Sequence, residues 1–405
     1  MLTTLKNAFK IKEIRQKILF TLGMLVVIRI GSQLPVPGVD TKFFSQWFAQ
    51  QTGGAFSFFD AITGGSFLNM SILALNINPY ITSSIIMQLL TIAIPKLEEM
   101  QRDGEDGRKK MVAITRYVTV ALALIQSTAM AIGFGRQGYL IEFNALNVIT
   151  TITALTAGSA FLMWVGERIT EKGIGNGISI VLVINIISRL PQDLSNLFEQ
   201  FVFGKAPATA ILAVVIIFAI IIAMVVLVII LNDGVRKIPV QYAKKMQGRK
   251  MVGGQTSNIP LKVNTSGVIP IIFAQSIMQF PIIICSFIGY NGTGVWAEIL
   301  KGLNSGYWCK PSQPIYSLGL LLYIVLIVFF AYFYTSITFN PLMIADNMKK
   351  QGGFIPGIRP GKPTSDYLNK ILNYIVFIGA CGLIVIAIVP ILASGLLNVS
   401  RISFS

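Results

Sequence analysis

Few residues in this sequence could carry acid–base, nucleophilic or metal chemistry, and they are poorly placed for it. The chain has no histidine. Its three cysteines are far apart and form no CxxC pair: Cys285, Cys309 and Cys381. A zinc site and a Ser-His-Asp triad are therefore excluded, and the cysteines indicate no redox compartment. Glu167 and Glu171 are one helical turn apart, but the adjacent Arg168 and Lys172 favour a self-paired charge cluster over a general acid/base pair. We expect no catalytic residue, metal site or cofactor, and therefore no enzyme.

Glycine-rich motifs add no nucleotide site. Residues 133–138 match GxGxxG, but they follow an apolar, membrane-length run and no strand, so the context for a dinucleotide site is missing. Residues 173–177, GIGNG, predict a flexible connector into the next helix. No GxxxxGK[ST] motif occurs, so any nucleotide energy must come from a partner.

Residues 53–94 place polar groups beside apolar runs of membrane length. Asn76, Asn78 and Pro79 stand near the start of the run 71–94. Two amides and a helix-breaking proline there indicate backbone that faces protein or water, because lipid offers no hydrogen-bond partner. Such a broken helix marks either a pathway through the membrane or a kinked packing helix beside a re-entrant loop.

Bulky aliphatic residues recur at helical spacing beside these polar or kinked positions. The spacing of four puts each pair on one helix face, and the set is Ile77 with Ile81, Ile178 with Leu182, and Ile272 after Pro270. Each residue alone could be ordinary packing. Together, from several helices, they would form a hydrophobic constriction that blocks ions.

Three further polar residues lie at predicted membrane depth, namely Thr82, Gln126 and Asn264. Each could form hydrogen bonds within its own bundle. A mutual contact would contribute about 0.6–2 kcal/mol, enough to bias a closed arrangement and still permit opening.

The composition requires a polytopic membrane protein to position these residues. Of 405 residues, 54% are hydrophobic and 12% are charged, about half the charge of a soluble domain. Nine segments approach the length of about 20 residues that a spanning helix needs. They are 18–34, 71–94, 112–134, 147–166, 177–191, 208–231, 268–289, 315–336 and 371–394. The first, after a basic N-terminus, reads as a spanning helix with no signal-peptide cleavage site.

The distribution of Lys and Arg predicts the orientation. Of 33 such residues, 25 lie in alternate segments on one side and 7 lie on the other. By the positive-inside rule, the basic side, with the N-terminus, is cytoplasmic. Two basic-side loops, 232–267 and 337–370, are unusually long. The first predicts a projecting hairpin with a basic tip, and the second a glycine- and proline-fixed turn. Both would present cations to RNA, lipid headgroups or an acidic protein face.

Five stretches spread over the chain carry a resemblance to a known family. They are RIGSQLPVPGVD at 29–40, ALNINPYITSSIIMQLL at 74–90, GERITEKGIGNGISI at 166–180, PLKVNTSGVIPIIFA at 260–274 and FIPGIRPGKPT at 354–364. In these stretches the chain resembles the bacterial SecY family, the pore-forming subunits of the Sec protein-conducting channel. The resemblance covers about residues 1–400.

The resemblance implies a fold class and a division of the chain. We expect an all-α polytopic membrane protein, a bundle of two pseudo-symmetric halves around a central pore with a short re-entrant plug helix. The halves are 1–192, with five helices, and 207–405, with four. The family's usual tenth helix, with its own ring residue, is not among these 405 residues, so no complete ring is expected from them.

The resemblance also implies roles for particular residues. The pore ring maps to Ile77, Ile81, Ile178, Leu182 and Ile272. The plug, about 55–66, includes Ala55, Phe56, Phe58, Phe59, Ile62, Gly64 and Gly65. The polar cluster of the lateral gate maps to Thr82, Gln126 and Asn264. Docking of the SecA motor and the ribosome maps to Lys244, Lys245, Arg249, Lys250 and Arg359.

The implied function is passage of unfolded polypeptides across the bacterial cytoplasmic membrane and release of transmembrane segments into it. The implied partners are SecE-like and SecG-like small membrane subunits, SecA, the ribosome, signal sequences, nascent polypeptides and the lipid bilayer. The alternative, a secondary transporter for a small solute, usually keeps an ionisable residue in the membrane. Here no Asp or Glu lies within a predicted span, and the arginines that do, Arg29, Arg116 and Arg189, lie near span ends.

Overall fold

Apolar runs of membrane length fold as helices because a bilayer core offers backbone amides no other hydrogen-bond partner. The computed structural model describes residues 9–41, 43–44, 60, 63–136, 138, 140–203, 207–242, 245–247, 250–252, 256–288, 294–309 and 314–396. Of the predicted plug and docking residues, those outside this description are Ala55, Phe56, Phe58, Phe59, Ile62, Lys244 and Arg249.

Six helices occupy the first half of the described chain. They are α1 (Lys12–Gly31), α2 (Asn78–Ala93), α3 (Pro95–Arg102), α4 (Gly104–Arg136), α5 (Ala145–Lys172) and α6 (Gly177–Phe201). Proline occupies the first turn of α2 and of α3, where its missing N–H removes no helical hydrogen bond.

Six more helices follow. They are α7 (Pro207–Asp233), α8 (Ile269–Ile288), α9 (Val295–Leu303), α10 (Leu318–Thr338), α11 (Pro341–Lys350) and α12 (Lys362–Leu396). Short 3-10 turns at Ser305–Tyr307 and Pro314–Ser317 connect α9 to α10.

Each of the nine predicted spans coincides with one of these helices. Among the described residues, six helices are long and apolar enough to cross a membrane alone, namely α4, α5, α6, α7, α10 and α12. The pair α2 and α3 passes the same test only together and bends by 107° at their junction. The described apolar part of α8 is shorter, and α1 begins with charged residues. The protein is therefore a polytopic α-helical membrane protein.

Some predicted boundaries were wrong. Residues 72–77 form turns, so the second helix starts at Asn78 and not at 71. The loop 337–370 contains helix α11 and the first turns of α12, neither of which the sequence predicted. The glycine- and proline-rich centre of that loop does form a fixed turn, with Gly357 and Gly361 at φ values of 82° and 105° that only glycine adopts easily.

The predicted hairpin on the basic side is confirmed. Strand β1 (Val235–Tyr242) pairs antiparallel with β4 (Thr256–Lys262), and a smaller ladder joins β2 (Lys245–Gln247) to β3 (Lys250–Val252) towards the tip. The short strand β5 (Gly353–Phe354) adds to the other edge of β1, giving the order β4-β1-β5. Strands β1 and β5 are more than a hundred residues apart in sequence, so the two long loops share one sheet.

The chain divides into two compact units. The first contains Met1–Leu197 and Ile282–Ala297, and the second contains Phe198–Pro281 and Glu298–Val399. The change at residue 198 lies between the predicted halves 1–192 and 207–405, but residues 282–297 cluster with the first unit.

Close backbone contact holds the turns before α2 against α5. A Cβ atom added at Gly158 would fall 2.0 Å from the carbonyl oxygen of Ile72. We predict that Gly158→Ala forces these segments apart and destabilises the protein by about 1–3 kcal/mol, the usual range for overpacking. The measurement is the apparent midpoint of thermal unfolding in detergent.

The matched control is Gly23→Ala on α1, where an added Cβ would meet nothing within 4 Å. There alanine gains up to about 1 kcal/mol of helix propensity, so the midpoint should stay or rise. Equal shifts for the two variants would contradict the packing described at Gly158.

Candidate functional site

The segment before α2 is a compact run of turns, which we call the stem segment: Asp60 with residues 63–76. It pairs with the chain after α1, since the Val36 amide donates to the Met70 carbonyl and the Ile72 amide donates to the Leu34 carbonyl, each over 2.9 Å. These bonds supply partners to backbone groups that no regular helix satisfies. The non-helical backbone expected from the sequence is therefore held by protein.

Asn76 closes this segment in a conformation that few residues tolerate. Its φ is 52°, in the left-handed region where asparagine is enriched, and the side chain is 1% exposed. The Asn185 amide on α6 donates to Asn76 Oδ1 over 3.1 Å, and the Ser159 hydroxyl on α5 donates to the Asn76 carbonyl over 3.1 Å. Asn76 thus joins the start of α2 to two other helices.

Four of the five predicted ring residues come together in one hydrophobic cluster of the first unit: Ile77, Ile81, Ile178 and Leu182. Ile77 is 0% exposed and packs among residues of α1, α5 and α6, including Ile28, Leu162 and Val181. Ile81, Ile178 and Leu182 are half-buried at its edge. Ile272 lies on α8 in the second unit, where its carbonyl accepts from the Ser276 hydroxyl. A five-residue ring stays a prediction.

The three predicted gate residues lie on α2, α4 and the turn before α8. Thr82 and Gln126 are half-buried, while their neighbours Ser83 and Ser127 face inward. The Ser83 hydroxyl donates to the Thr115 carbonyl over 2.8 Å and so fastens α2 to α4. Asn264 donates instead to Asn232 Oδ1 over 3.1 Å, at the end of α7 within its own unit. A mutual contact among the three predicted residues stays a prediction.

The described docking residues belong to the basic-side sheet and its adjoining turn. Lys245 and Lys250 have their backbones in β2 and β3. Arg359 is exposed, and its carbonyl accepts from the Thr364 hydroxyl over 2.8 Å. The flanking Ile355, 3% exposed, and Ile358 pack into the core that β1 and β4 form with α11 and α12. Arg359 is therefore a solvent-facing cation on a well-anchored turn.

Glu167 and Glu171 take part in two separate ion pairs. Glu171 pairs with Arg168 over 2.8 Å, as expected for a self-paired cluster. Glu167 accepts instead from Arg116 of α4 over 2.7 Å, which links α4 to α5. No group of three or more His, Cys, Asp or Glu suited to a metal occurs among the described residues.

Sequence reasoning missed three residues that the structure places together. Asp60 is 0% exposed and forms an ion pair with Arg189 of α6. Asn185 lies one turn before Arg189 on the same helix. Their residue types could have singled out two of them. Asp60 is the one acidic residue between 53 and 94, and Asn185 interrupts an apolar run.

The fold and this site define a class: a polytopic α-helical membrane protein with a broken helix packed inside the first unit and a basic sheet on one side. The model of the SecY family matches residues 71–404. A protein of Streptomyces galbus described as "Protein translocase subunit SecY" is 43% identical over 413 residues, covering 97% of this chain and 90% of the relative.

Solved structures agree on the fold. "The structure of a protein conducting channel" superposes with a TM-score of 0.61 at 18% identity, covering 96% of this chain and 87% of the other. "Sec61 in the Canine ribosome-channel complex from the endoplasmic reticulum" gives 0.59 at 18% identity, covering 96% and 93%. The chain belongs to the SecY family.

Burial separates the four clustered ring residues into two kinds. Ile77→Ala removes a fully buried side chain, so we predict destabilisation of about 2–5 kcal/mol, the usual cost of a large-to-small change in a core. Ile81→Ala, at the half-buried edge of the same cluster, should cost clearly less. The measurement is the apparent thermal midpoint in detergent, and a larger loss for Ile81→Ala would contradict the packing of Ile77.

Proposed function

We propose that this chain forms the protein-conducting channel of a bacterial cytoplasmic membrane. It passes unfolded polypeptides across the bilayer and releases transmembrane segments into the lipid through a lateral gate. The observation that carries the proposal is the 43% identity, over 97% of this chain, to a translocase subunit. The comparisons give no support to a secondary transporter for a small solute.

Apolar packing around the broken helix supports the seal of such a channel. Ile81, Ile178 and Leu182 are half-buried against the cluster that contains the fully buried Ile77. Branched aliphatic side chains exclude water, and a constriction lined by them blocks ions without a specific binding site. In our proposal Ile272 completes this seal, and it yields to a peptide because dispersion contacts are individually weak.

The plug and the gate complete the proposed mechanism. The plug is the segment around 55–66, including the described Gly64 and Gly65 at φ values of 65° and 84°. Thr82, Gln126 and Asn264 form the polar lining of the gate. Their hydrogen-bonding capacity would bias the resting arrangement by the small free energy of interhelical polar contacts in membranes.

The charge distribution supports an orientation with the N-terminus and the basic sheet in the cytoplasm. Most of the Lys and Arg lie on this side, and such residues are retained in the cytoplasm. We propose that the sheet and the Arg359 turn receive the ribosome or the SecA motor, because exposed cations attract RNA phosphates and acidic protein faces. SecE-like and SecG-like subunits would complete the complex in the membrane. The Sec61 structure is itself described as a ribosome-channel complex.

Charge reversal tests the docking role of Arg359. We predict that Arg359→Glu reduces SecA-driven translocation at least about tenfold in membrane vesicles, because an exposed anion replaces the cation that attracts the partner. The matched control is Lys349→Glu on α11, with the same charge change at an exposed basic-side position. Equal translocation by both variants at equal membrane content would refute a specific role for Arg359.

Photo-cross-linking tests the channel itself. A photoreactive phenylalanine analogue at Ile81 should cross-link a polypeptide arrested during translocation, because the proposed path passes beside the hydrophobic cluster that contains Ile77. The control position is Val225 of α7, which is 52% exposed on an apolar helix suited to lipid contact. Cross-links at Val225 and none at Ile81 would contradict the proposed path.

A further inference from the structure

A buried ion pair fastens the first residue of the stem segment to α6. Asp60 is 0% exposed, and its carboxylate pairs with Arg189. Its Oδ1 also accepts from the Leu68 amide over 2.9 Å, which curls the segment around the charge. Removing one partner of a buried ion pair leaves an uncompensated charge, so the segment cannot leave α6 at low cost while this pair stays intact.

A steric contact lies one helical turn away on α6. A Cβ atom added at Gly64 would fall 2.5 Å from the Asn185 carbonyl oxygen and 2.9 Å from the Ser188 hydroxyl. Only glycine lets the backbone come this close, and its φ of 65° favours glycine as well. From α1, Arg29 donates to the Gly64 carbonyl over 3.4 Å. Gly64 is therefore held between two helices.

The third contact is the amide pair at the end of the stem segment. The Asn185 side chain donates to Asn76 Oδ1 over 3.1 Å. Asn76 directly precedes Ile77, which belongs to the hydrophobic cluster of the first unit. Residues 185, 188 and 189 are spaced by three and four, so they share one face of α6. That one face therefore holds the stem segment at its beginning, near Gly64 and at its end.

We propose that this face of α6, formed by Asn185, Ser188 and Arg189, is a clamp that sets the resting position of the stem segment. The Asp60–Arg189 pair is the contact that breaks before the segment moves. The inference rests on the proposed channel function and adds positioning residues to it. The clamp also holds Asn76, which directly precedes the predicted ring residue Ile77. Loosening the clamp therefore displaces Ile77 and raises ion flow through the resting channel.

The test measures single-channel ion conductance of the full complex in planar bilayers without any polypeptide substrate. We expect Asp60→Asn to raise the time-averaged resting conductance about tenfold. A change of this size lies within the range of interaction free energies between residues of one salt-bridge network. Arg189→Gln should act in the same direction. The double variant should conduct more than the wild type but no more than the stronger single variant, because both charges are gone and neither is left unpaired. Arg189→Lys, which keeps the charge, should restore part of the resting seal.

Two comparisons separate the clamp from general loosening. Asp193→Asn removes a second carboxylate, 3.5 Å from Arg189 Nε, that belongs to α6 itself, so it should have a smaller effect than Asp60→Asn. Gly64→Ala should raise conductance more than Gly65→Ala. Both have positive φ, but an added Cβ meets α6 only at Gly64. The clamp would be overturned if the conductance increases of Asp60→Asn and Arg189→Gln multiply in the double variant. Wild-type conductance in Asp60→Asn would also overturn it.

Translocation by the wild-type complex distinguishes failure of the clamp from failure of the function. If the wild type moves a polypeptide across vesicles while Asp60→Asn keeps the wild-type resting conductance, only the clamp is wrong. If the wild type moves no polypeptide, the proposed function fails, and the clamp fails with it. Should Asp60→Asn not insert, the double variant carries the test, since wild-type resting conductance in it also overturns the clamp.

Discussion

The structure depends on satisfying backbone hydrogen bonds where a membrane supplies no water. Helices achieve this alone, but the turns that precede α2 cannot. Their backbone obtains partners from the chain after α1 and from Ser159 of α5, and Asn185 of α6 bonds the side chain of Asn76. A break in a spanning helix is possible here only because three other segments surround it. The interior of the first unit is built around this break.

Packing at the break explains why small and polar residues stand in apolar surroundings. Gly158 lets the Ile72 carbonyl approach α5, and Gly64 lets the stem segment approach α6. Asn76 tolerates a left-handed backbone and hydrogen-bonds at both its side chain and its carbonyl. These contacts leave Ile77 completely buried and its three aliphatic neighbours at the edge of the same cluster. Order at the break and burial of Ile77 are thus consequences of one arrangement.

The basic side follows a different physical rule. There the two long loops meet in the sheet β4-β1-β5, whose strands satisfy backbone hydrogen bonds with one another. Its inner residues, Ile238, Val240 and Leu261, pack with Ile355 and Leu368 into a compact core. A cation on this core, such as Arg359, keeps its position relative to the sheet. That rigidity suits recognition of a large partner, because little conformational entropy is lost on binding.

Much of this protein could be predicted from the order of its residues. The length of the apolar runs predicted a helix in each of nine segments, and the structure has a helix in each. Two strand-compatible runs around a basic tip predicted the β1–β4 hairpin. Family-specific stretches predicted five ring residues, and four of them lie in one hydrophobic cluster. These features are local or carried by long motifs, so no knowledge of distant contacts was needed. Helix starts were less accurate at Asn78 and Lys362, where tertiary contacts and turns override hydropathy.

By itself the sequence determined that the chain crosses a membrane many times, which side is basic, and that the backbone is broken near Asn76 and Pro79. These follow from transfer free energies and dihedral preferences that each residue carries wherever it stands. Only the tertiary structure decided that Asp60 meets Arg189 and that Asn76 meets Asn185, each across more than a hundred positions. It also decided that Ile77 is buried among three helices. Such pairings depend on how helices pack against each other, and side-chain type alone does not specify which partner is near.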